Sequence, residues 1–240
     1  MPVISSRQNE KLKLVRKLTE RRWRDKLGLF AVEGEDLVEA ARAASIEPVE
    51  LLVAGETVEP ELLAEVSTLG HPPRVIGVYR RADLPAGPAV ETGVALWRVG
   101  DPGNVGTLLR AADALGPAFV ALSEGCADPT GPKALRASAG AIFRVPTCAF
   151  DEAPRPWVAL VPRGGTPLQE LVLAERVTFL LGAEREGLPD QVLASCDERA
   201  TIPQGPSAES LNVAMAGTIA LYELAQGGRR ATQTLSSPPE

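Results

Sequence analysis

The sequence is poor in the residues that build metal centres and disulfide frameworks. It contains three cysteines, Cys126, Cys148 and Cys196, and a single histidine, His71. The cysteines are odd in number and far apart, so they form neither a CxxC pair nor a disulfide framework, and one histidine does not make a zinc constellation. We therefore expect no metal, structural or catalytic.

Long apolar runs are also missing. No stretch approaches the ~18 apolar residues of a transmembrane helix, and the opening residues MPVISSRQNEKLKLVRKL lack the apolar core of a signal peptide. We expect a cytoplasmic protein that does not associate with membranes. With 45% hydrophobic residues in 240, the chain can bury one large core or two small ones, which indicates a globular protein.

Positive charge is scarce overall but concentrated near the start. The formal net charge is −6, yet residues 7–26, called here the basic segment, hold nine cationic residues against three acidic ones. Four apolar residues recur there at roughly helical spacing: Leu12, Val15, Leu18 and Trp23. This pattern predicts an amphipathic helix whose outer face either follows RNA phosphates or is simply solvated, and charge alone does not separate the two.

The element pattern predicts two α/β domains. Helices at 34–44 and 60–69 and strands at 49–55 and 74–80 make a small N-terminal domain, 1–85. The Pro- and Gly-rich stretch DLPAGPAVETG suggests a linker, 86–93. Strands and helices then alternate through a second domain, 94–227, which predicts a parallel sheet covered on both faces, before a disordered tail, 228–240.

Three loops of the second domain follow predicted strands and are rich in Gly or Pro: GDPGNVGTLLR, GAEREGLP and PQGPSAESLN. Parallel sheets bind ligands beyond the carboxyl ends of their strands. The chain lacks GxxxxGK[ST], GxGxxG spacing and a GxSxG elbow with a histidine to serve it, which counts against kinases, dehydrogenases and serine hydrolases. What remains is a site built from backbone-rich loops.

Three segments carry a family resemblance. DPGNVGTLLRAADALG, FLLGAEREGLP and IPQGPSAESLNVAMAGTIALYEL resemble, in order and spacing, the three motifs of the SpoU/TrmH family of RNA ribose 2′-O-methyltransferases in the SPOUT superfamily. ISSRQNEKLKLVRKL followed by FAVEGEDLVEAA resembles the substrate-binding domain of its ribosomal-RNA members. The resemblance implies an α/β fold with a deep trefoil knot, S-adenosylmethionine as cofactor, 23S ribosomal RNA as substrate, and a homodimer formed through the catalytic domain.

The resemblance also implies a set of site residues. The residues that would bind the cofactor are Leu181, Gly182, Ala183, Gly187, Ile202, Gln204 and Leu211. Those that would act in catalysis are Asn104, Arg110, Glu184, Ser210 and Asn212. Arg110 would activate the ribose hydroxyl, as general base or as phosphate clamp, beside the cofactor of the other subunit. Asn104 would support that site, Glu184 would shape the cofactor loop, and Ser210 and Asn212 would orient the ribose.

The sequence departs from the family pattern in the third motif. Gln204 stands where methionine is usual, and Ala214 where serine is common. A further element, LRASAGAIFRVP, resembles the family's Ser-x-Gly element, whose Ser138 and Gly140 would shape the substrate entrance, with Arg136 and Arg144 either contacting RNA or solvating the rim.

Taken singly, the site residues also have purely structural interpretations. Arg110 suits a surface ion pair, Glu184 a solvated loop charge, and Ser210 a helix cap. The alternative function is a non-catalytic RNA-binding or ribosome-assembly protein that keeps the scaffold. Retention of all five catalytic-type residues favours the enzyme.

Overall fold

The computed structural model describes residues 3–172, 175–205 and 210–235. Its N-terminal part is a three-stranded antiparallel sheet, in the order β1-β3-β2, with four helices. In chain order the elements are α1 (Glu10–Leu18), α2 (Arg21–Leu27), β1 (Leu29–Glu33), α3 (Glu35–Ala43), β2 (Glu50–Val53), α4 (Pro60–Val66) and β3 (Val75–Arg80). The prediction missed β1, although Phe30 and Val32 alternate there as buried residues.

The second part is a seven-stranded sheet in the order β6-β5-β4-β9-β7-β10-β8, with every pair of neighbours parallel. Its elements are β4 (Thr92–Leu96), α5 (Pro102–Leu115), β5 (Phe119–Leu122), α6 (Pro132–Ser138), β6 (Thr147–Ala149), β7 (Trp157–Leu160), β8 (Thr166–Pro167), β9 (Val177–Leu181), α7 (Asp190–Ser195), β10 (Glu198–Thr201) and α8 (Val213–Leu235). The predicted α/β fold with a parallel sheet is confirmed.

The basic segment forms two helices rather than the single one predicted. Leu12, Val15 and Leu18 are buried as expected, but the chain turns at Thr19 and restarts in α2. Trp23 is only half-buried, and the buried residue of α2 is Arg24. The apolar spacing therefore marked the inner face of α1 and did not extend into α2.

The two predicted domains share a hydrophobic core. Phe143 packs against Phe30 and Tyr79 of the N-terminal sheet, with ring centroids 6.1 and 5.5 Å apart, respectively. The predicted linker is tied down as well, because the Gly87 N–H donates to the Thr147 carbonyl at 2.9 Å. The N-terminal part thus rests on the second part over an extended interface.

A buried ion-pair network joins the same two parts. Arg24 Nε and Arg81 Nη2 each lie 2.7 Å from Asp128 Oδ2, and Arg81 Nε donates to Thr130 Oγ1 at 2.9 Å. The Arg24 and Asp128 side chains are 5% and 8% exposed. Sequence reasoning counted Arg24 with the solvent-facing cations, whereas its charge is used inside the protein.

Helix α8 lies against the centre of the sheet and against α5. A Cβ at Gly217 would come within 2.4 Å of Leu108 Cδ2, so glycine permits this close approach. The helix reaches Leu235, beyond the predicted domain end at 227, and residues 236–240 of the predicted tail lie outside the described residues. The chain path from 206 to 209 also lies outside them, and the trefoil knot stays a prediction.

Candidate functional site

A cavity of about 580 Å³ lies where β7, β9 and β10 end. This volume falls within the range of small-molecule sites, and the position is the one that parallel sheets use. All seven residues predicted to bind a cofactor line it: Leu181, Gly182, Ala183, Gly187, Ile202, Gln204 and Leu211. Three residues predicted to act in catalysis, Glu184, Ser210 and Asn212, line it too.

The loop after β9 is a tight turn held by two glycines. The Gly187 N–H donates to the Ala183 carbonyl at 2.9 Å, and Gly187 has a φ of +65°, a conformation that glycine adopts readily. A Cβ at Gly182 would lie 2.1 Å from the carbonyl carbon of Gly187. The backbone therefore folds onto itself at Gly182 and presents main-chain groups to the cavity.

A chain of side-chain hydrogen bonds connects the three motif loops. Asn104 Nδ2 donates to Glu184 Oε1 at 2.7 Å, and Asn212 Nδ2 donates to Asn104 Oδ1 at 3.3 Å. Asn104 lies in the first turn of α5, Glu184 belongs to the loop after β9, and Asn212 precedes α8. The amide of Asn104 uses its donor on one loop and its acceptor on the other, so it sets their relative position.

Both helices at the site are capped by side chains. Asn212 Oδ1 accepts from the N–H groups of Ala214 at 2.9 Å and Met215 at 3.3 Å, so Asn212 caps α8 rather than Ser210. Asp101 Oδ1 caps α5 by accepting from Gly103 and Asn104. Asn212 therefore performs two tasks at once, as cap and as link to Asn104.

Sequence reasoning missed Asp101 and Lys133. Lys133 Nζ lies 2.9 Å from Asp101 Oδ2, and its hydrogen bond is the main reason that the pKa of Asp101 lies below its ordinary value. The signal was present, because an aspartate directly before Pro-Gly is typical of a helix N-cap with proline at the first helical position. This pair holds the end of α5 from which Asn104 projects.

Arg110 lies apart from the other predicted catalytic residues. It is exposed on α5, it does not line the cavity, and it makes no hydrogen bond or ion pair within the described part of the chain. It lies six residues beyond Asn104, and at 3.6 residues per turn this places the two side chains on different faces of the helix. A single chain thus brings four of the five residues together.

The Ser-x-Gly element lies at the interface between the two parts of the chain. Ser138 is fully buried, and its Oγ donates to the Leu135 carbonyl at 2.9 Å. Gly140 has a φ of +84°, and a Cβ there would lie 2.4 Å from Cβ of Ala40 in α3. Arg136 donates to Thr68 Oγ1, and Arg144 forms a fork with Asp113. These contacts indicate a supporting role for the element.

Within residues 3–172, 175–205 and 210–235, no group of three or more His, Cys, Asp and Glu side chains is arranged to hold a metal ion. None of the helices in that part of the chain combines the length and hydropathy needed to cross a bilayer.

Known proteins resemble this chain over nearly its whole length. Residues 91–222 match the model of the SpoU rRNA Methylase family, and residues 9–81 match the MRM3-like substrate binding domain. The 23S rRNA (guanosine(2553)-2′-O)-methyltransferase RlmP of Bacillus subtilis is 32% identical, over 93% of this chain and 99% of its own.

Solved structures agree with these matches. An AdoMet-bound rRNA methyltransferase from Sinorhizobium meliloti superposes with a TM-score of 0.84 at 28% identity, covering 94% of this chain and 97% of its own. The SpoU methyltransferase AviRb of Streptomyces viridochromogenes, in complex with AdoMet, gives 0.79 at 25% identity, covering 96% of this chain and all of its own. The family model alone spans more than half of the chain, and with the loops that meet at the cavity it establishes that the protein belongs to the SpoU rRNA methylase family.

Proposed function

We propose that the protein transfers a methyl group from S-adenosylmethionine to a ribose 2′-hydroxyl of ribosomal RNA, with 23S rRNA as the substrate. One observation carries the proposal. The side chains of Glu184, Asn104 and Asn212 are hydrogen-bonded in a chain that joins the three motif loops, and the loops of Glu184 and Asn212 line a single cavity. The names of the similar proteins give the reaction class and the RNA.

The cavity suits the cofactor on its own chemistry. Its lining is largely apolar, with Leu181, Ile202 and Leu211 among the contributors, which fits an adenine ring. Gln204 Oε1 is the one buried side-chain oxygen or nitrogen of the described residues that lacks a partner, and it belongs to the same lining. A buried acceptor without a donor is costly, and a bound nucleoside brings N–H and O–H donors that satisfy it.

The residues of this chain would then act mainly by alignment. When bound, S-adenosylmethionine supplies a methyl group already activated by its sulfonium. Asn104 fixes the loop after β9 relative to the start of α8, so the groups that hold the cofactor and those that hold the ribose keep one geometry. Glu184 Oε2, which has no partner among the described residues, is left to accept a hydrogen bond at the cavity.

Arg110 would act on the substrate of a second subunit in a homodimer. It is exposed and unpaired in the described chain, and it lies outside its own cavity. Met215 and Tyr222, 61% and 49% exposed, are two turns apart on the outer face of α8, where a second copy would cover them. An arginine contributed across this interface would hold a substrate phosphate with its planar fork.

Titration with S-adenosylmethionine, together with single-turnover methylation by Arg110→Ala and Arg110→Lys, tests this proposal. We expect both variants to bind the cofactor as the wild type does and to methylate RNA at least ~10²-fold more slowly, because they lack a group that acts on the transition state. A wild-type chain that binds RNA but no cofactor would instead support the binding-only alternative. A lysine variant at the wild-type rate would show that positive charge alone suffices.

A further inference from the structure

Most cations of the basic segment form ion pairs with carboxylates of this chain. Lys13 pairs with Glu10 at 2.8 Å and Lys11 with Glu50 at 2.6 Å. The remaining paired cations are Arg7 and Arg16 with Glu65, Arg21 with Asp25, Arg22 with Glu20, and Arg24 with Asp128. The outer face of α1 should therefore bind RNA phosphates more weakly than its sequence suggests.

Two cations of the basic segment have no carboxylate partner among the described residues, and both lie over Trp23. Lys17 Nζ is 5.1 Å and Lys26 Nζ 5.3 Å from the ring centroid of Trp23. Arg22 adds a third cation at 5.6 Å. Trp23 is only half-buried, so one surface offers an indole ring together with two ammonium groups that form no ion pair among the described residues. We call Trp23, Lys17 and Lys26 the tryptophan platform.

Helix α2, which carries Trp23 and Lys26, is bonded to the edge of the sheet where the motif loops lie. From α2, Arg21 Nη1 donates to the Cys126 carbonyl at 3.1 Å, and Arg24 binds Asp128. The loop carrying these two acceptors follows β5, and its Ala127 N–H donates to the carbonyl of Val99, two residues before Asp101. These hydrogen bonds and the loop after β5 connect α2, which carries Trp23 and Lys26, to the start of α5.

We propose that the tryptophan platform binds an unpaired stretch of the RNA substrate, with a base stacked on Trp23 and the flanking phosphates on Lys17 and Lys26. An aromatic ring between cations is the usual composition of a single-strand site, because every base has a face that stacks and every linkage a charge. In a double helix the base faces are covered by neighbouring base pairs, so a base cannot stack on Trp23. The inference rests on the proposed function and gives that RNA substrate a defined docking point.

Oligoribonucleotide binding tests the platform directly. The probes are an unstructured RNA of roughly 12 nucleotides and a blunt RNA duplex of the same length. Trp23→Leu keeps apolar volume, and we expect it to weaken single-strand binding roughly tenfold and duplex binding far less. Trp23→Tyr should restore most of the affinity, which separates stacking from packing even if the leucine variant loses some stability.

The lysines are tested by charge-matched variants. Lys17→Ala with Lys26→Ala should reduce the salt slope of single-strand binding by roughly 0.7 for each phosphate that the variant no longer neutralises. Lys11→Ala with Lys13→Ala removes equal charge from paired positions and should change the slope little. Equal slopes for the two double variants, or a leucine variant that binds both probes as the wild type does, would overturn the platform.

Titration of S-adenosylmethionine into each variant distinguishes a failure of the tryptophan platform from a failure of the proposed methyltransferase function. Unchanged cofactor affinity with altered RNA affinity supports the platform. Wild-type RNA methylation by Trp23→Leu would discard the platform and leave the methyltransferase standing, whereas a wild-type protein that binds no cofactor would discard the methyltransferase whatever Trp23 does.

Discussion

At the scale of single residues, Gly182 is the glycine of the loop after β9 where an added side chain would clash most severely. A Cβ there would meet the main chain of Gly187 and Leu188 at 2.1 and 2.3 Å, and main-chain atoms have no flexible end that can move aside. We expect Gly182→Ala to open the loop and to lower S-adenosylmethionine affinity roughly tenfold or more, measured by calorimetric titration. Gly70→Ala is the control, because a Cβ at Gly70 meets nothing within 4 Å.

Asn104 provides a second test at the same scale, because its amide is both donor and acceptor. Asn104→Asp would place a carboxylate where Nδ2 now donates to Glu184 at 2.7 Å, and the two negative charges would repel. We expect Asn104→Asp to methylate RNA more slowly than Asn104→Ala at neutral pH and to recover as the pH falls, since one shared proton restores a hydrogen bond. A pH–rate profile of the two variants checks this, and an aspartate variant as active as wild type would contradict it.

At the scale of elements, the sequence predicted where helices and strands lie along the chain better than it predicted which residues form ion pairs. The sequence located α1 through the helical spacing of Leu12, Val15 and Leu18, and α8 through the alanine-rich helical pattern after Ser210. It located β5 and β9 through the short apolar runs AFVALS and RVTFLLGA. The strands β6 and β8 have three and two residues, respectively, too few for a period to be recognised. Ion-pair partners such as Glu65 and Asp128 lie far along the chain from their cations, so their effect on the basic segment required the structure.

The buried network around Asp128 predicts a loss of stability. Asp128→Ala would leave Arg24 without its carboxylate in a buried place, and we expect the free energy of unfolding to fall by about 3 kcal/mol, measured by chemical denaturation. Glu91→Ala removes a carboxylate from an exposed pair with Arg176 and should leave stability nearly unchanged. Equal denaturation midpoints for wild type and Asp128→Ala would show that the network does not join the domains energetically.

The same network predicts a dependence on pH. Burial by itself would raise the pKa of Asp128, but hydrogen bonds from Thr130 and Arg24 and the charge of Arg81 place that pKa below the ordinary value of 3.8. A lowered pKa means that the carboxylate stabilises the fold fully above pH 3.8 and that this contribution disappears as the pH falls through the folded-state value. The difference in stability between wild type and Asp128→Ala should therefore shrink only in strong acid.

At the scale of the whole molecule, the meeting of three distant motifs could be predicted from the sequence. The carboxyl ends of neighbouring parallel strands lie at one edge of a sheet, and the loops after β9 and β10 line one cavity there as expected. The hydrogen-bond chain through Asn104 could not be predicted, because it depends on side-chain directions at three loops. The role of Arg110 at the site of a second subunit stays a prediction.

The proposed homodimer predicts complementation between two impaired variants, assayed at an S-adenosylmethionine concentration too low to saturate Gly182→Ala. Arg110→Ala keeps the cavity and lacks the arginine, while Gly182→Ala keeps the arginine and has a damaged cavity. If the arginine acts across the interface, mixed dimers contain one complete site, and exchange of subunits should restore about a quarter of wild-type methylation. Mixtures that stay inactive after exchange, or a fully active monomer in sedimentation at micromolar concentration, would exclude a shared site.

Ribose methylation leaves the transferred methyl group on a 2′-oxygen, and alkaline hydrolysis of labelled RNA reveals whether it is there. The wild-type protein is incubated with S-adenosylmethionine carrying a labelled methyl group and with 23S rRNA from cells that lack this protein, and the RNA is then hydrolysed in alkali. A 2′-O-methyl group removes the hydroxyl that alkaline cleavage requires, so we expect the label in an alkali-resistant dinucleotide. Label in single nucleotides would mean that a base is methylated. Unlabelled RNA, with a wild-type protein that binds the cofactor, would mean that 23S rRNA is not the substrate. Either result would exclude ribose methylation of 23S rRNA by this protein.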